Sequence, residues 1–591
     1  MRVADYVIEK LVRVGIKHVF TVTGRGILYL TDAVAKNPNV ESISVHHEQA
    51  GGFAAYAYAV KKNGMGSCLV STGCGATNAI TACLCAWQDD VPCIFISGQN
   101  KLTETTRYTK KNIRSYGQQE ADIISIVKPI TKYSVMIEKA EDIIPELDKA
   151  ISIAKSGRKG PVWIDIPLDI QDGRINCDVS DFTYMCESLP QPDGNLVKET
   201  VRMLSEAERP VLLIGKSVSG VDTLDLLSGI SSQMDLPIVF DTSAVDIFPD
   251  INYLSIGTIG ALGGSRAGNF AIQNSDLVLS LGCRLNSMQV GEDPALFARK
   301  AKIIAVDNDN DELLKECANI DMRVFCDPYS FLSMLCQDSS RVEHCEWVET
   351  CLHWKSIFPK CEDNRRNGSK VDLYHLADAI GNLAEEGDTI VSDAGLEELV
   401  IPSVVCKKNG VRCIHPVSQG SMGFALPAAF GASVADGGRV IAVIGDGSIM
   451  MNLQELQTIV HHQSNIKIIV VNNDCYAVIR KRQHDLFRKR TVGTDESNGV
   501  SCPDFGKIAS AFGFDYFRIE SPDELNGKLS DLLECEGPAI CEVMGIVDQS
   551  FLHNSFAINE DKKMVRRSLE DQSPFLDRET MKREMIIDYL G

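Results

Sequence analysis

Apolar runs of strand length alternate with helical segments almost from end to end of this chain, and two stretches repeat one layout. SCLVSTGCGATNAITACLCAWQDDVPCIFISG, residues 67–98, reads as strand, glycine turn, helix, strand. RVIAVIGDGSIMMNLQELQTIVHHQSNIKIIVVNN, residues 439–473, has the same elements at nearly the same lengths. Strands separated by crossover helices pair in parallel, and a parallel sheet must be covered by helices on both faces. The pattern therefore predicts an α/β fold of mostly parallel sheets. The repeated layout suggests a duplicated unit, although βαβ units also resemble one another by physics alone.

At 591 residues the chain exceeds what one hydrophobic core sustains, so several domains are expected. Three blocks emerge. The first spans residues 1–175 and closes with GPVWIDIPLDI, followed by an irregular linker containing Pro190 and Pro192. The second spans 192–345, with RPVLLIG, LPIVF, DLVLSLG and AKIIAVD as its strands. The charged segment CEDNRRNGSK leads into the third, 370–555, and residues 556–591 read as a charged tail rather than a domain.

Charge and cysteine usage bound the setting. A net charge of −21 argues against nucleic-acid or anionic-membrane surfaces, which require clustered Lys and Arg. The twenty cysteines are scattered through buried-looking runs with no C-x-x-C, the usage of a reduced, cytoplasmic protein. The N-terminus MRVADYVIEKLVRVGI reads as an amphipathic helix and not as a signal peptide, and no apolar run approaches a membrane span.

The chemistry concentrates at two strand tips. Asp446 sits between Gly445 and Gly447 just past one strand, and Asn473 follows the next strand 27 residues later. Ligands bind at the carboxyl ends of parallel strands, and one crossover lets the two side chains converge. A carboxylate and an amide oxygen are hard donors suited to Mg²⁺, which retains substrate phosphates. The glycines let the backbone approach a phosphate and open a helix whose N-terminus favours anions. The competing reading is an Asp N-cap at one tip and a turn Asn at the other. No G-x-x-x-x-G-K-[ST] occurs, and GRGILY at 24–29 lacks the third dinucleotide glycine.

G-D-G followed by 24 residues and N-N resembles the thiamine diphosphate signature. HHEQAGGFAAYAYA, the 71–99 segment, GPVWIDIPLDI and QGSMGFALPAAFGA extend the resemblance over nearly the whole chain, to the large-subunit acetolactate synthase group. The resemblance implies three α/β domains that bind, in order, the cofactor's pyrimidine, a central ligand or none, and the diphosphate. It implies a homodimer or homotetramer of small-molecule-converting subunits, each active site lying between two of them.

Carried over residue by residue, the resemblance gives Asp446, Asn473 and the Cys475 carbonyl to Mg²⁺. It gives Gly445, Gly447 and Ser448 to the diphosphate, with Gly395 and Tyr476 beside them. Glu48 matches the catalytic glutamate that hydrogen-bonds N1′ of the aminopyrimidine and so activates C2. Met422 matches the wedge that bends the cofactor, and the Gly420 carbonyl the acceptor for its 4′-amino group. Thr23, Gly24, Thr72 and Asn78 fall on cofactor-contacting positions, and Gln119 aligns with a second catalytic position. Taken singly, Glu48 reads as a surface carboxylate and Met422 as a core methionine.

Departures from the group point to the acceptor substrate. YGQQE at 116–120 puts Gln118 where an aromatic is usual, Thr23-Gly24-Arg25 replaces P-G-G, and Leu396-Glu397-Glu398 replaces Q-H-Q. The basic run from Arg480 follows the asparagines, with a solvated helix face as its competing reading. Arg25, Gln118 and Arg480 are therefore the candidate acceptor residues, for a larger and more polar acceptor than pyruvate. IRKRQHDLF and SLEDQSPFLDRE look like thiamine enzymes of bacterial surface-polysaccharide pathways. Two functions are expected: a carboligase that decarboxylates a 2-keto acid, pyruvate first among them, and passes the fragment to a carbonyl such as an activated sugar; or a decarboxylase or lyase that protonates it. FAD in the central block stays open, with GTIGALGGS at 257–265 and VDNDND at 306–311 as the segments concerned.

Overall fold

The computed structural model describes residues 1–176, 184–558 and 564–590. Three six-stranded parallel sheets carry the chain. The first contains β1 (His18–Thr21), β2 (Glu41–Ser44), β3 (Gly66–Val70), β4 (Cys93–Gln99), β5 (Tyr133–Met136) and β6 (Val162–Pro167). The second contains β7 (Pro210–Ile214), β8 (Ile238–Phe240), β9 (Ser255–Thr258), β10 (Leu277–Leu281), β11 (Lys302–Asp307) and β12 (Met322–Phe325). The third contains β13 (Thr389–Ser392), β14 (Arg412–Ile414), β15 (Val440–Gly445), β16 (Ile466–Asn472), β17 (Asp515–Ile519) and β18 (Ala539–Met544).

The first sheet runs β2-β1-β3-β4-β6-β5 and the third β14-β13-β15-β16-β18-β17, the same order shifted by twelve strands. The duplicated layout seen in the sequence thus extends to whole sheets. The middle sheet runs β12-β11-β10-β7-β8-β9 and reverses direction of growth between β7 and β10. All seven residues of β4 and of β16 are buried, as expected of strands covered on both faces.

The first and third units share one core. Helix α1 (Glu48–Lys62) buries every residue from Ala50 to Ala59 and packs on α2 (Ala425–Asp436), of which only Val434 and Asp436 are not fully buried. Alanine and glycine bring the two backbones together: a Cβ on Gly431 would overlap the Ala54 carbonyl. Phe424 sits edge-on to Phe53 at 5.2 Å and to Tyr56 at 5.3 Å. This seam positions Glu48, the first residue of α1.

The charged tail is docked. Leu569 and Met581 lie in the core of the central unit with Phe270 and Trp354, and residues 567–572 are all buried. Its charges are matched within the fold: Glu570 with Arg299 at 2.9 Å and Asp571 with Arg578 at 2.7 Å. Among the described residues no helix is long and apolar enough to cross a membrane, and the described cysteines are free.

Candidate active site

The tip of β15 is organised by one carboxylate. Asp446 is buried, its Oδ1 accepts from the Gly447 N–H at 2.6 Å, and its Oδ2 accepts from the N–H groups of Asn473 at 2.9 Å and Asp474 at 2.6 Å. Burial raises its pKa to about 6 against the lowering effect of these three bonds. Asn473 is also buried, and its side-chain oxygen accepts from the Cys475 N–H at 3.2 Å. Asp446, Asn473 and Cys475 line one cavity of about 130 Å³ with Gly395, Met422, Gly445, Gly447, Ser448 and Tyr476. The two strand tips therefore converge as the spacing required.

The cavity fits a metal-bound diphosphate. Its donors are a carboxylate and an amide oxygen, and among the described residues no cluster of three or more His, Cys, Asp or Glu offers a competing metal site. Gly447 is held against the Tyr476 ring, which any Cβ there would overlap, so the backbone itself forms the cavity floor. The Ser448 hydroxyl is committed elsewhere: it donates to Asp393 and accepts from the Gly423 N–H at 3.1 Å. Gly420 lies in the loop before Met422, its N–H bonded to the Pro416 carbonyl at 2.8 Å.

Two acidic residues of this tip were not assigned a role from the sequence. Asp393, fully buried, accepts from the N–H groups of Ala394, Gly423 and Ala425 at 2.7–3.0 Å and, with the Ser448 hydroxyl as a further donor, ties the tips after β13 and β15 to the 423–425 segment. Glu397 is buried in the cavity wall against Gly395 and Gly445. Burial, with Asp393 and Asp446 nearby, pushes its pKa up to about 8, so it faces the cavity as a protonated acid able to donate a hydrogen bond. The sequence signal was the change from Q-H-Q to Leu396-Glu397-Glu398. Its direction was set by packing that the motif does not encode.

The remaining candidates gather at the carboxyl edge of the first sheet. Glu48 Oε2 accepts from the Asn78 amide at 2.9 Å. Thr72 is buried beside Gly26, whose N–H donates to Ser71 at 3.2 Å, and Gly24 packs on the same serine. Thr23 is exposed at this edge. Arg25 donates to the Gln118 side chain at 2.7 Å, and Asn100 donates to the Gln118 carbonyl at 2.8 Å. Gln119 adopts φ +57° and lays its carbonyl on Gly73. Among the described residues, those lining the Asp446 cavity all come from the third unit, so Glu48 and Asp446 of one chain do not share it.

Arg480 lies on α3 (Ala477–Phe487), which begins at the cavity. Its Nε pairs with Asp495 at 3.3 Å and its Nη1 with Asp548. The 491–499 segment runs alongside the 473–476 loop, where the Tyr476 N–H donates to the Thr494 carbonyl at 2.8 Å. Arg480 thus braces that loop. In the central unit, Gln572 of the tail donates to the Gly260 and Gly264 carbonyls at 3.4 Å, and Asp309 pairs with Arg158 at 2.8 Å.

Comparison with known proteins agrees with this geometry. The sequence models of the thiamine pyrophosphate enzyme N-terminal TPP binding domain, central domain and C-terminal TPP binding domain match residues 1–126, 197–335 and 394–543. The acetolactate synthase large subunit of Parasynechococcus marenigrum is 30% identical over 553 residues, covering 91% of this chain and 87% of that one. That of Haemophilus influenzae is 29% identical over 544 residues, 89% and 91% of the two chains. The acetolactate synthase isozyme 1 large subunit of Escherichia coli is 28% identical over 541 residues, 91% and 93%.

Proposed function

We propose, from the premise that this chain belongs to the thiamine pyrophosphate enzyme family and is related to acetolactate synthase large subunits, that it is a Mg²⁺-dependent carboligase. It decarboxylates a 2-keto acid, pyruvate as for its relatives, and joins the remaining fragment to a carbonyl acceptor, an activated sugar. Thiamine diphosphate, when bound, would supply a carbon nucleophile and an electron sink for the loss of CO₂ from the keto acid. Asp446, Asn473 and the Cys475 carbonyl would hold the metal. Gly445 and Gly447 let the backbone meet the diphosphate, and Met422 props the cofactor. Glu48, which accepts a hydrogen bond from Asn78, would share a proton with the pyrimidine.

One observation carries the choice of carboligase over decarboxylase. The loop beside Glu48 offers amides and no acid. Gln118 and Gln119 hydrogen-bond a carbonyl but deliver no proton at neutral pH. The one carboxylate of that loop, Glu120, is consumed in holding it: it accepts from the Thr106 hydroxyl at 2.7 Å, the Tyr116 N–H at 2.8 Å and the Gly117 N–H at 3.3 Å. No side chain of this loop is free to deliver a proton beside Glu48, and Glu397, the protonated acid of the Asp446 cavity, lies in the other half of the site, against Gly395 and Gly445.

The site is completed between subunits of a homodimer or homotetramer, a reading supported by the third-unit lining of the Asp446 cavity. The protein works in the cytoplasm on small molecules, and its sequence similarity to surface-polysaccharide thiamine enzymes suggests the pathway. The carboligase chemistry itself needs no flavin, and FAD in the central unit stays open as in the sequence reading; there Gln572 caps the 260–264 segment and Arg158 engages Asp309. The test is product analysis of the protein loaded with thiamine diphosphate and Mg²⁺, given pyruvate and a panel of aldehydes and ketosugars. A new C–C bonded product is expected; CO₂ with equimolar acetaldehyde and no condensation product overturns the reading.

A further inference from the structure

This strongly acidic chain concentrates exposed cations in two segments, and each is joined to one half of the candidate site. Residues 106–119, TRYTKKNIRSYGQQ, hold four basic residues and no acidic one. They end on Gln118 and Gln119. Residues 480–490, RKRQHDLFRKR, hold six Lys and Arg against Asp485 alone, and they follow the metal-site loop. Lys110, Lys111, Arg114, Arg482, Arg488 and Lys489 are all exposed, with no ion-pair partner among the described residues. Aromatic rings stand in both segments: Tyr108 is 54% exposed, Tyr116 62% and Phe487 50%. Helix α3 has no buried residue, although it starts in the cavity wall.

Distance selects among ligands. The diphosphate of the cofactor belongs at the first turn of α3, beside Asn473. At 1.5 Å per residue, Arg488 lies ~16 Å further along the helix axis. A keto acid of a few carbons does not reach from the cavity to that arginine. An extended acceptor with its own phosphates does. Guanidinium groups pair with phosphate oxygens bidentately, and exposed rings stack on a heterocyclic base. A solvated face would account for the charge of either segment alone. It does not account for both flanking the two halves of one site with rings among the cations.

We propose that the acceptor carries a diphosphate-linked nucleoside, gripped at its phosphates by Lys110, Lys111 and Arg114 on one side of the site and by Arg482, Arg488 and Lys489 on the other. This rests on the carboligase reading and on a site assembled from the first unit of one subunit and the third of its partner. The probe is uridine diphosphate, titrated calorimetrically into the protein loaded with thiamine diphosphate and Mg²⁺, beside inorganic phosphate. Two charge reversals are compared with the parent, K110E/K111E/R114E and R482E/R488E/K489E, with the corresponding glutamine triples as milder variants and thermal melts to confirm folding.

The expected result is uridine diphosphate binding about tenfold or more tighter than phosphate, weakened about tenfold or more by each reversal and by added salt. Thiamine diphosphate affinity and hydrogen–deuterium exchange at its C2 stay at the parent level. The proposal is overturned if uridine diphosphate binds no tighter than phosphate, if either folded triple leaves its affinity unchanged, or if a single-stranded oligonucleotide of equal charge binds more tightly. In each of those cases intact cofactor loading and CO₂ release from pyruvate leave the carboligase reading standing. Failure to load the cofactor would instead strike that reading.

Discussion

Asp446 and Asn473 are joined directly: across 27 residues of chain, the Asp446 Oδ2 accepts the Asn473 backbone N–H at 2.9 Å. The carboxylate that would bind metal therefore also fixes the position of its second ligand. Asp446→Ala strips partners from three backbone N–H groups, at about 1–3 kcal/mol for each left unsatisfied, and confounds folding with binding. Asp446→Asn keeps the volume and one acceptor oxygen. It is expected to lose thiamine diphosphate affinity by about a hundredfold or more in fluorescence titration while still melting cooperatively. Retained affinity would remove Asp446 from the metal site.

Subunit mixing tests the shared site. Glu48→Gln and Asp446→Asn chains are each expected to be inactive. If sites form between chains, random dimers restore both intact residues in about a quarter of all sites. Activity near that fraction is expected once subunit exchange has been demonstrated by native mass spectrometry. No recovery after demonstrated exchange would return both residues to one chain's site.

Arg480→Met separates bracing from direct acceptor contact. The pair with Asp548 is solvent-exposed, so global stability should change by only about 0–1 kcal/mol. Losing the hold on Asp495 loosens the 491–499 segment that lies along the metal-site loop. C2 exchange and turnover should therefore fall together, by the equivalent of about 1.5–3 kcal/mol for a lost charged hydrogen bond. A fall in acceptor turnover with C2 exchange at the parent rate would show instead that Arg480 meets the acceptor directly.

Gly431→Ala probes the seam. The added methyl meets the Ala54 backbone, which cannot rotate away. Separating α1 from α2 should cost about 3 kcal/mol in urea unfolding, at the upper end of ordinary overpacking. Because Glu48 opens α1, cofactor affinity should fall with it. An unchanged midpoint would mean the helices pack less closely than described.

Glu397 gives a pH signature in the cofactor-free protein. Its folded pKa, about 8, lies above the ordinary 4.5, so its contribution to stability is fully present below about pH 4.5 and is lost as pH rises through 8. The loss amounts to as much as about 5 kcal/mol. Glu397→Gln should flatten that part of the stability profile, measured by denaturation at a series of pH values. A slope identical to the parent's would show the carboxyl to be ionised at neutral pH.

The sequence carried the metal-site motif because its parts are local: one strand tip, one crossover, the next strand tip. It also carried the sheet class, since apolar runs such as IIVV at 468–471 have no solvent face to satisfy. What it hid was decided by distant packing. Helix α1, EQAGGFAAYAYAVKK, lacks a polar face over Ala50–Ala59, and that absence was the signal that the first and third units close on each other. Arg480 was found by proximity to Asn473, but its partner Asp548 arrives from 68 positions downstream. The tail was read by its charge, while Leu569 and Met581, two apolar residues among many ions, determine where it goes.

That docking orders events during synthesis. A ribosome releases the central unit's six strands long before it reaches Leu569 and Met581, which finish the same core around Phe270 and Trp354. Among the described residues the tail enters neither flanking core, but the middle sheet stays open at a face until Leu569 and Met581 have been made. A nascent chain stalled just before Leu569 therefore exposes apolar surface in its middle rather than at its growing end, which is where a chaperone would have to hold it.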